Sequence, residues 1–184
     1  AEDTVIVSAP ATSQSSLSEH EHPASEKKVT LGSLGERELI DVPWSVQTLS
    51  KKVLDQQQIK DVKDAYRYLP SVQGDGVRPQ TRGMQGSVVQ NHMIDGLNAV
   101  STTEYSTEQF QNIEVLSGIA GSLYGPANPA GMFNLVSKRP VDTQLHRVTV
   151  GQGTGSGTLA SMDFSGPIDA GDRVKYRLNL LNDE

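Results

Sequence analysis

The last third of the chain carries the pattern that most limits what it can fold into. Three segments after Pro140 alternate strictly between apolar and polar residues, at positions 147–150, 160–165 and 174–180. Successive side chains of a β-strand point to opposite faces, so each segment predicts a strand with one apolar and one polar side. The segments between them contain Gly, at residues 151–157 and 166–172, and predict hairpin connections.

This alternation leaves two architectures open. A water-soluble sandwich and a membrane barrel both need strands with one apolar and one polar face. In a barrel, Lys175 and Arg177 would face a polar lumen and Tyr176 would face lipid.

Residues 29–140 carry shorter, mixed signals that are typical of a small α/β domain. Ser50 and Asp61 are placed to cap helices over 51–58 and 62–68, and a short helical turn is expected near Tyr124. Asp95-Gly96 predicts a turn. Short strands are predicted at 43–49, 81–84, 88–94, 113–116 and 133–137.

The N-terminal segment has a different composition. Residues 1–9 contain a short β-prone run, Thr4 to Val7, and residues 10–28 hold almost nothing apolar that could be buried. Such a composition does not offset the entropy of ordering the chain, so residues 10–28 are expected to form a flexible linker. A β-prone segment on a flexible linker suits strand addition to a partner's sheet, and a frayed terminus is the alternative.

Composition excludes several functions. The chain has a net charge of −6 without a basic cluster, so nucleic acid is not an expected partner. It has no cysteine, hence no disulfide, thiol nucleophile or Cys-based zinc site. The chain begins without the features of a signal peptide, so it is either cytosolic or already processed. No nucleotide-binding or nucleophile motif is present, and His20 and His22 are too few for a metal site, so we expect no enzyme, no cofactor and no metal.

An ordered set of short motifs runs from about Leu39 to Pro140. The motifs are Asp41-Val42-Pro43, Ser45-Val46, Leu69-Pro70-Ser71-Val72, Arg82-Gly83-Met84, Ile94-Asp95-Gly96-Leu97, Ile113-Glu114-Val115-Leu116, Leu123-Tyr124-Gly125, Gly131 and residues 133–140. In this order they closely resemble the plug of TonB-dependent siderophore receptors, and residues 3–7 resemble the TonB box of that family.

The resemblance implies an α+β chain with four parts: a TonB box at 1–9, a periplasmic linker at 10–28, a plug at 29–140 and the first strands of a truncated 22-stranded transmembrane β-barrel at 141–184. It implies TonB-dependent uptake of a ferric siderophore across the cell outer membrane, with the N-terminus in the periplasm. The expected partners are the C-terminal domain of TonB, the ferric siderophore as transported ligand, and outer-membrane lipid. This is transport and not catalysis.

The resemblance also implies roles for particular residues. Arg82 is expected to form an ion pair with the barrel wall. The family usually has Arg where this chain has Ser117, so one further plug–wall ion pair is expected to be missing or rebuilt. TonB is expected to bind Asp3, Thr4, Val5, Ile6 and Val7.

The upper loops of the plug are expected at 74–80, 85–88 and 102–105. Arg78 is placed to pair with an anionic chelate or to remain a solvated charge. Gln85 and Ser87 are placed to hydrogen-bond the chelate. Tyr105 is placed to stack on it or to pack in the core.

Two other functions remain open at this stage. A free-standing soluble periplasmic module that binds TonB or a metal chelate is the main alternative, although apolar faces at 160–164 and 174–180 count against its solubility. A signalling receptor is expected to carry an extra domain ahead of the TonB box, and only Ala1 and Glu2 precede the box here. The kind of siderophore does not follow from these residues.

Overall fold

The computed structural model describes residues 4–8, 28–30, 35–74, 77–118, 121–124, 129–152, 158–169 and 173–183. The chain divides into two compact units. One consists of Leu17–Ser137, and the other combines Ala1–Ser16 with Lys138–Glu184.

A five-stranded sheet organises the unit of residues 17–137, in the order β4-β10-β11-β8-β9. Its strands are β4 (Ser45–Ser50), β8 (His92–Ile94), β9 (Leu97–Asn98), β10 (Phe110–Ser117) and β11 (Met132–Ser137). β8 runs parallel to β11, and the other neighbours are antiparallel. β10 lies in the interior of the sheet and is buried at every position except Gln111.

Two short helices cover this sheet, α1 (Lys51–Gln56) and α2 (Val62–Tyr66). Their apolar residues join the core formed around β10 and β11, which includes Leu54, Tyr66, Ile113 and Phe133. The Tyr66 and Phe133 rings meet edge to face at 5.5 Å. Both helices were predicted, as was the turn near Tyr124, which is the helix α3 (Gly121–Tyr124).

The predicted side-chain caps are wrong. Ser50 and Asp61 occupy the N-cap positions, but neither side chain makes the capping hydrogen bond. Both residues are instead held in extended pairs, Ser50 with Asn112 and Asp61 with Ser106.

Two smaller sheets complete this unit: β2 (Lys28–Thr30) with β3 (Glu36–Glu38), and β5 (Val72–Gly74), β6 (Pro79–Thr81) and β7 (Met84–Gln85). The strand predicted at 81–84 is wrong, because Arg82 and Gly83 adopt positive φ angles of 53° and 76° and form the turn between β6 and β7. The strand predicted at 88–94 is confirmed only for residues 92–94. The predicted turn at Asp95-Gly96 is confirmed, and it joins β8 to β9.

The second unit is one antiparallel sheet in the order β1-β12-β13-β14. Its strands are β1 (Thr4–Ser8), β12 (Leu145–Gln152), β13 (Thr158–Pro167) and β14 (Lys175–Asp183). The three alternating segments therefore form strands, as predicted. The linker predicted at 10–28 lies outside the described residues except for its last residue, Lys28, which pairs with Glu38 as the start of β2 and is therefore not part of a linker. Residues 153–157 and 170–172 of the two predicted connections also lie outside the described residues.

In a water-soluble protein the polar face of a sheet is exposed and the apolar face is buried, and this sheet has the opposite arrangement. Asp163 and Ser165 are 4% and 0% exposed, whereas Leu178 and Leu180 are 49% and 50% exposed. Cross-strand pairing places Phe164 beside Leu178 and Met162 beside Leu180, so the apolar side chains form one continuous face. Polar groups are thus enclosed on one side, and an apolar surface is open on the other.

Within the described part of the chain, no helix combines the length and the apolar character needed to cross a membrane.

Candidate functional site

The small sheet β5-β6-β7 brings together three of the four residues predicted to contact a ligand. Arg78 lies between β5 and β6, Gln85 ends β7, and Ser87 follows two residues later. The Gly86 amide donates to the Pro79 carbonyl at 2.9 Å, which holds the segment after β7 against the start of β6. Arg78 and Gln85 are exposed and Ser87 is half-buried, so a cation and an amide are accessible to solvent and a hydroxyl group is partly accessible.

Asn91 holds the Ser87 loop in place, and sequence reasoning missed it. The Ser87 amide donates to Asn91 Oδ1 at 2.8 Å, and the Asn91 amide donates to the Ser87 carbonyl at 3.2 Å. Asn91 is fully buried and its Nδ2 donates to the Gly131 carbonyl at 2.5 Å. The loop is therefore anchored to the chain segment that enters β11. Asn91 lies inside the strand predicted at 88–94, so no local pattern indicated this role.

Tyr105 reaches the same region only through its hydroxyl group. Its ring packs edge to face on Phe110 at 6.2 Å and against the core. The hydroxyl donates to the Val100 carbonyl over 3.5 Å, and the neighbouring Ser101 amide donates to the Val88 carbonyl at 2.9 Å. These contacts are those of the packing role, and a role for Tyr105 in ligand stacking remains a prediction.

His92 lies beneath the loop that carries Arg78, and it is the second residue that sequence reasoning missed. Its ring stacks on Phe133 at 5.7 Å, and its Nε2 lies 3.1 Å from the Val77 carbonyl. Burial lowers the pKa of His92, and the hydrogen bond to Val77 opposes this effect. The neutral ring with its proton on Nε2 therefore donates to Val77 and supports the loop from below.

Arg82 is exposed in the turn between β6 and β7, and its guanidinium lies beside Gly118. Among the described residues no carboxylate pairs with it, so its predicted ion pair with a barrel wall remains a prediction. Next to Gly118, at the position where the family usually has Arg, Ser117 Oγ lies 3.4 Å from Ser71 Oγ. Ser71 in turn donates to Gln47 Oε1 at 2.7 Å. A small neutral hydrogen-bonded group thus occupies the place of the expected cation.

The predicted TonB-binding segment is an extended strand in this structure. Residues Thr4–Ser8 pair with β12 along their whole length, with Ile6 opposite Thr149. The main chain here adopts the conformation that strand addition requires. Asp3, the first residue of the predicted segment, lies outside the described residues.

An ion cluster lies on the enclosed polar face of the strand unit. Asp163 accepts from Lys138 Nζ at 2.9 Å and from Arg177 Nη2 at 2.7 Å, and all three side chains are largely buried. The Arg177 guanidinium also donates to the Arg139 carbonyl at 2.7 Å. The segment that leads into β12 is therefore fastened to β13 and β14 on the side where a barrel would have its lumen.

In the part of the chain that the structure describes, no group of three or more His, Asp or Glu side chains could hold a metal ion.

The comparison with known families gives a match in the unit of residues 17–137. Residues 38–132 match the family model of the TonB-dependent Receptor Plug Domain, which covers more than half of the chain.

Curated relatives match over most of the chain. The ferrichrome outer membrane transporter/phage receptor of Escherichia coli K12 is 29% identical over 198 aligned residues, covering 98% of this chain and 26% of that protein. The ferrioxamine receptor of Yersinia enterocolitica is 28% identical over 181 residues, covering 91% of this chain and 25% of that protein. The chain thus spans about a quarter of the length of these curated relatives.

Solved structures share the fold. The alcaligin outer membrane receptor FauA of Bordetella pertussis superposes with a TM-score of 0.78 at 19% identity, over 92% of this chain and 31% of that one. The ferric preacinetobactin receptor BauA of Acinetobacter baumannii gives 0.75 at 20% identity, over 87% and 25%.

Proposed function

Because the chain belongs to the TonB-dependent receptor plug domain family, we propose that it is the N-terminal part of a receptor that takes up a ferric siderophore across the outer membrane. In this proposal residues 1–9 bind TonB, 10–27 form a periplasmic linker, 28–140 form the plug, and 141–184 begin a 22-stranded barrel. Transport requires no bond to be made or broken, so the chain is not an enzyme.

One observation carries the membrane assignment beyond family membership. The sheet β12-β13-β14 encloses Asp163 and Ser165 on one side and exposes Met162, Leu178 and Leu180 on the other. Transmembrane barrels have an apolar outer surface and a polar lumen, which is the arrangement seen here. Tyr176 lies two positions from Leu178 on the apolar face, and Arg177 lies on the polar face, as expected for strands of a barrel wall.

The ligand is proposed as a class. The curated relatives are named for ferrichrome, for ferrioxamine and for ferric pyoverdine, which share the property of being ferric siderophores. On this chain the surface formed by Arg78, Gln85 and Ser87 offers one cation and two hydrogen-bonding groups to such a chelate. Tyr105 is proposed to stack on the chelate, and Arg82 to pair with a carboxylate of the barrel wall.

Energy coupling is proposed to act through the main chain of residues 3–7. A strand offers a row of backbone donors and acceptors to the edge of another sheet, so TonB gains a directional grip without a large side-chain surface. The extended conformation of Thr4–Ser8 supports this role.

Proline at position 6 tests the coupling. Ile6→Pro removes one strand donor, so a receptor carrying it should lose energised uptake of a ferric siderophore while retaining binding. Ile6→Ala, which keeps the backbone N–H, is the matched control and should transport. Normal uptake by the Pro variant would rule out the TonB-box assignment.

A second experiment separates the receptor from the soluble alternative. An antibody raised against residues 29–140 should detect, in fractionated cells, an outer-membrane band several times larger than 19.8 kDa. A soluble periplasmic band near 19.8 kDa would favour a free module that binds TonB or a chelate.

A further inference from the structure

Three of the sequence motifs place a polar residue among apolar neighbours, and the fold brings these residues together. Glu114 lies in β10, Asn134 in β11, and Asp95-Gly96 forms the turn between β8 and β9. Glu114 and Asn134 are directly opposite each other in the β10–β11 ladder, and both are 4% exposed. A carboxylate in the middle of the sheet adds nothing to the apolar core, and it is not one of the residues of the candidate ligand surface.

Several N–H groups converge on the Glu114 carboxylate. The Thr30 backbone amide donates to Oε1 at 3.0 Å, and Asn134 Nδ2 donates to Oε2 at 2.9 Å. Asn112 Nδ2 donates to Oε1 at 3.3 Å, while its own buried Oδ1 has no hydrogen-bond donor among the residues that the structure describes. Such a set of donors favours the ionised carboxylate over the protonated acid.

Asn134 extends these contacts across the sheet. Its Oδ1 accepts from the Gly96 amide at 2.9 Å, which fixes the orientation that turns Nδ2 toward Glu114. In the same turn, Asp95 Oδ1 accepts from the amide of Ser137, the last residue of β11, at 2.8 Å. A continuous hydrogen-bonded path therefore joins Thr30, near the start of this unit, to Ser137 at its end.

Thr30 is held on both sides of its peptide backbone. Besides the amide bond to Glu114, its carbonyl accepts from the Tyr124 hydroxyl at 3.3 Å. The adjacent Val29 is 1% exposed. The nearby charge of Glu114 adds to burial in raising the pKa of Tyr124 to about 12, so the hydroxyl stays protonated and able to donate.

We infer that Glu114 is a latch that holds β2 and links its release to the Asp95-Gly96 turn. The inference rests on the proposed function, in which a pull on residues 3–7 reaches the plug through the residues that precede β2 and acts on this strand first. Releasing Thr30 removes a hydrogen-bond donor from the buried charge of Glu114, which costs free energy. This cost resists the pull, and it favours the return of β2 to its place once the pull ends. Glu114 acts by positioning other groups and touches no ligand.

Glu114→Gln is the direct test, followed by amide hydrogen exchange on the intact receptor that contains this chain, in detergent. Gln has the same size but no charge, so the Thr30 amide loses its charged acceptor whichever way the new amide group turns. Losing a hydrogen bond to a charged group should speed exchange of the Thr30 amide roughly tenfold to a hundredfold. The Gly96 amide should also exchange faster, and the amides of the β10–β11 ladder should keep their rates.

Lys28→Ala is the matched control in the same hairpin. It removes the exposed Lys28–Glu36 ion pair and should leave the Thr30 and Gly96 rates within twofold of the wild type. A Glu114→Gln variant with unchanged Thr30 exchange would overturn the latch. Equal acceleration throughout the β10–β11 ladder would also overturn it, because Glu114 would then serve overall stability alone.

Tyr124→Phe keeps the test decisive if Glu114→Gln does not fold. It removes only the bond to the Thr30 carbonyl, so Thr30 exchange should rise about twofold to tenfold without a change at Gly96. An unchanged Thr30 rate in this variant would contradict the latch. The exchange experiment contains neither TonB nor siderophore. If Ile6→Pro transported normally, the exchange rates would still show whether Glu114 holds Thr30, and only the connection of the latch to transport would be lost.

Discussion

Gly131 has the closest contact for an added methyl group among the plug glycines whose surroundings the structure describes. It has a φ of +96°, and a Cβ built on it would overlap the Leu116 carbonyl oxygen well inside van der Waals contact. The same Cβ would lie 3.3 Å from the Leu116 carbonyl carbon and from Ser117 Cα. Ala130 and Met132 on either side are buried, so the segment has little room to move away from β10.

Two costs add up for Gly131→Ala. Placing a residue with a Cβ in the left-handed region costs about 1–2 kcal/mol. Relieving the overlap by shifting the backbone of β10 costs about a further 1–3 kcal/mol. Gly83→Ala separates the two costs, because Gly83 has a φ of +76° and an added Cβ would meet nothing within 4 Å. We therefore expect a loss of about 2–5 kcal/mol for Gly131→Ala and about 1–2 kcal/mol for Gly83→Ala.

Urea unfolding of the two variants beside the wild type gives the free energies of unfolding. The midpoint should fall further for Gly131→Ala, with an unchanged slope for both variants. Equal losses would mean that the strained backbone angle accounts for the whole effect, and the argument from close approach to β10 would be refuted.

Two further predictions concern the ligand surface. Arg78→Ala should weaken binding of an anionic ferric chelate by the receptor, whereas Arg67→Ala, which removes an exposed cation from the end of α2, should not; an unchanged dissociation constant for Arg78→Ala would remove this residue from the site. The pKa of His92 is lowered in the folded chain, so the unfolded chain binds the proton more readily. The neutral ring therefore contributes stability above about pH 6.5, and this contribution is lost as the pH falls below that value. Urea unfolding between pH 7.5 and pH 5 should show this loss in the wild type and a smaller one in His92→Gln, and identical pH profiles would contradict the assignment.

Sequence periodicity predicted the strands in which apolar and polar residues alternate regularly. The strands around residues 147–150, 160–165 and 174–180 follow from strict alternation. Both helices on the plug sheet were predicted from Ser50 and Asp61, which do occupy the N-cap positions although their side chains do not cap. Sequence reasoning placed the central strand at 113–116, whereas β10 begins at Phe110. Gln111 and Asn112 are polar and gave no strand signal, although Asn112 is buried through its contact with Glu114.

The remaining differences come from contacts between distant residues. Arg82 and Gly83 were interpreted as part of a strand, because an Arg at a position with left-handed backbone gives only a weak signal for a turn. Asn91 and His92 support the loops of the candidate site through Gly131, Phe133 and Val77, and no local pattern reports such partners. Glu114 and Asn134 were recognised only as members of motifs. Their pairing depends on the register between β10 and β11, which periodicity does not specify.

The pairing of β1 with β12 has a consequence for the chain as a purified molecule. Residues 9–27 separate β1 from β2 in sequence. β1 pairs with the edge of β12 through main-chain bonds that another copy of the same five residues could make equally well. Exchange of such a segment between copies is a low-cost route to dimers. Raising the protein concentration should therefore convert monomers into strand-swapped dimers, and Ile6→Pro should suppress them along with the pairing itself.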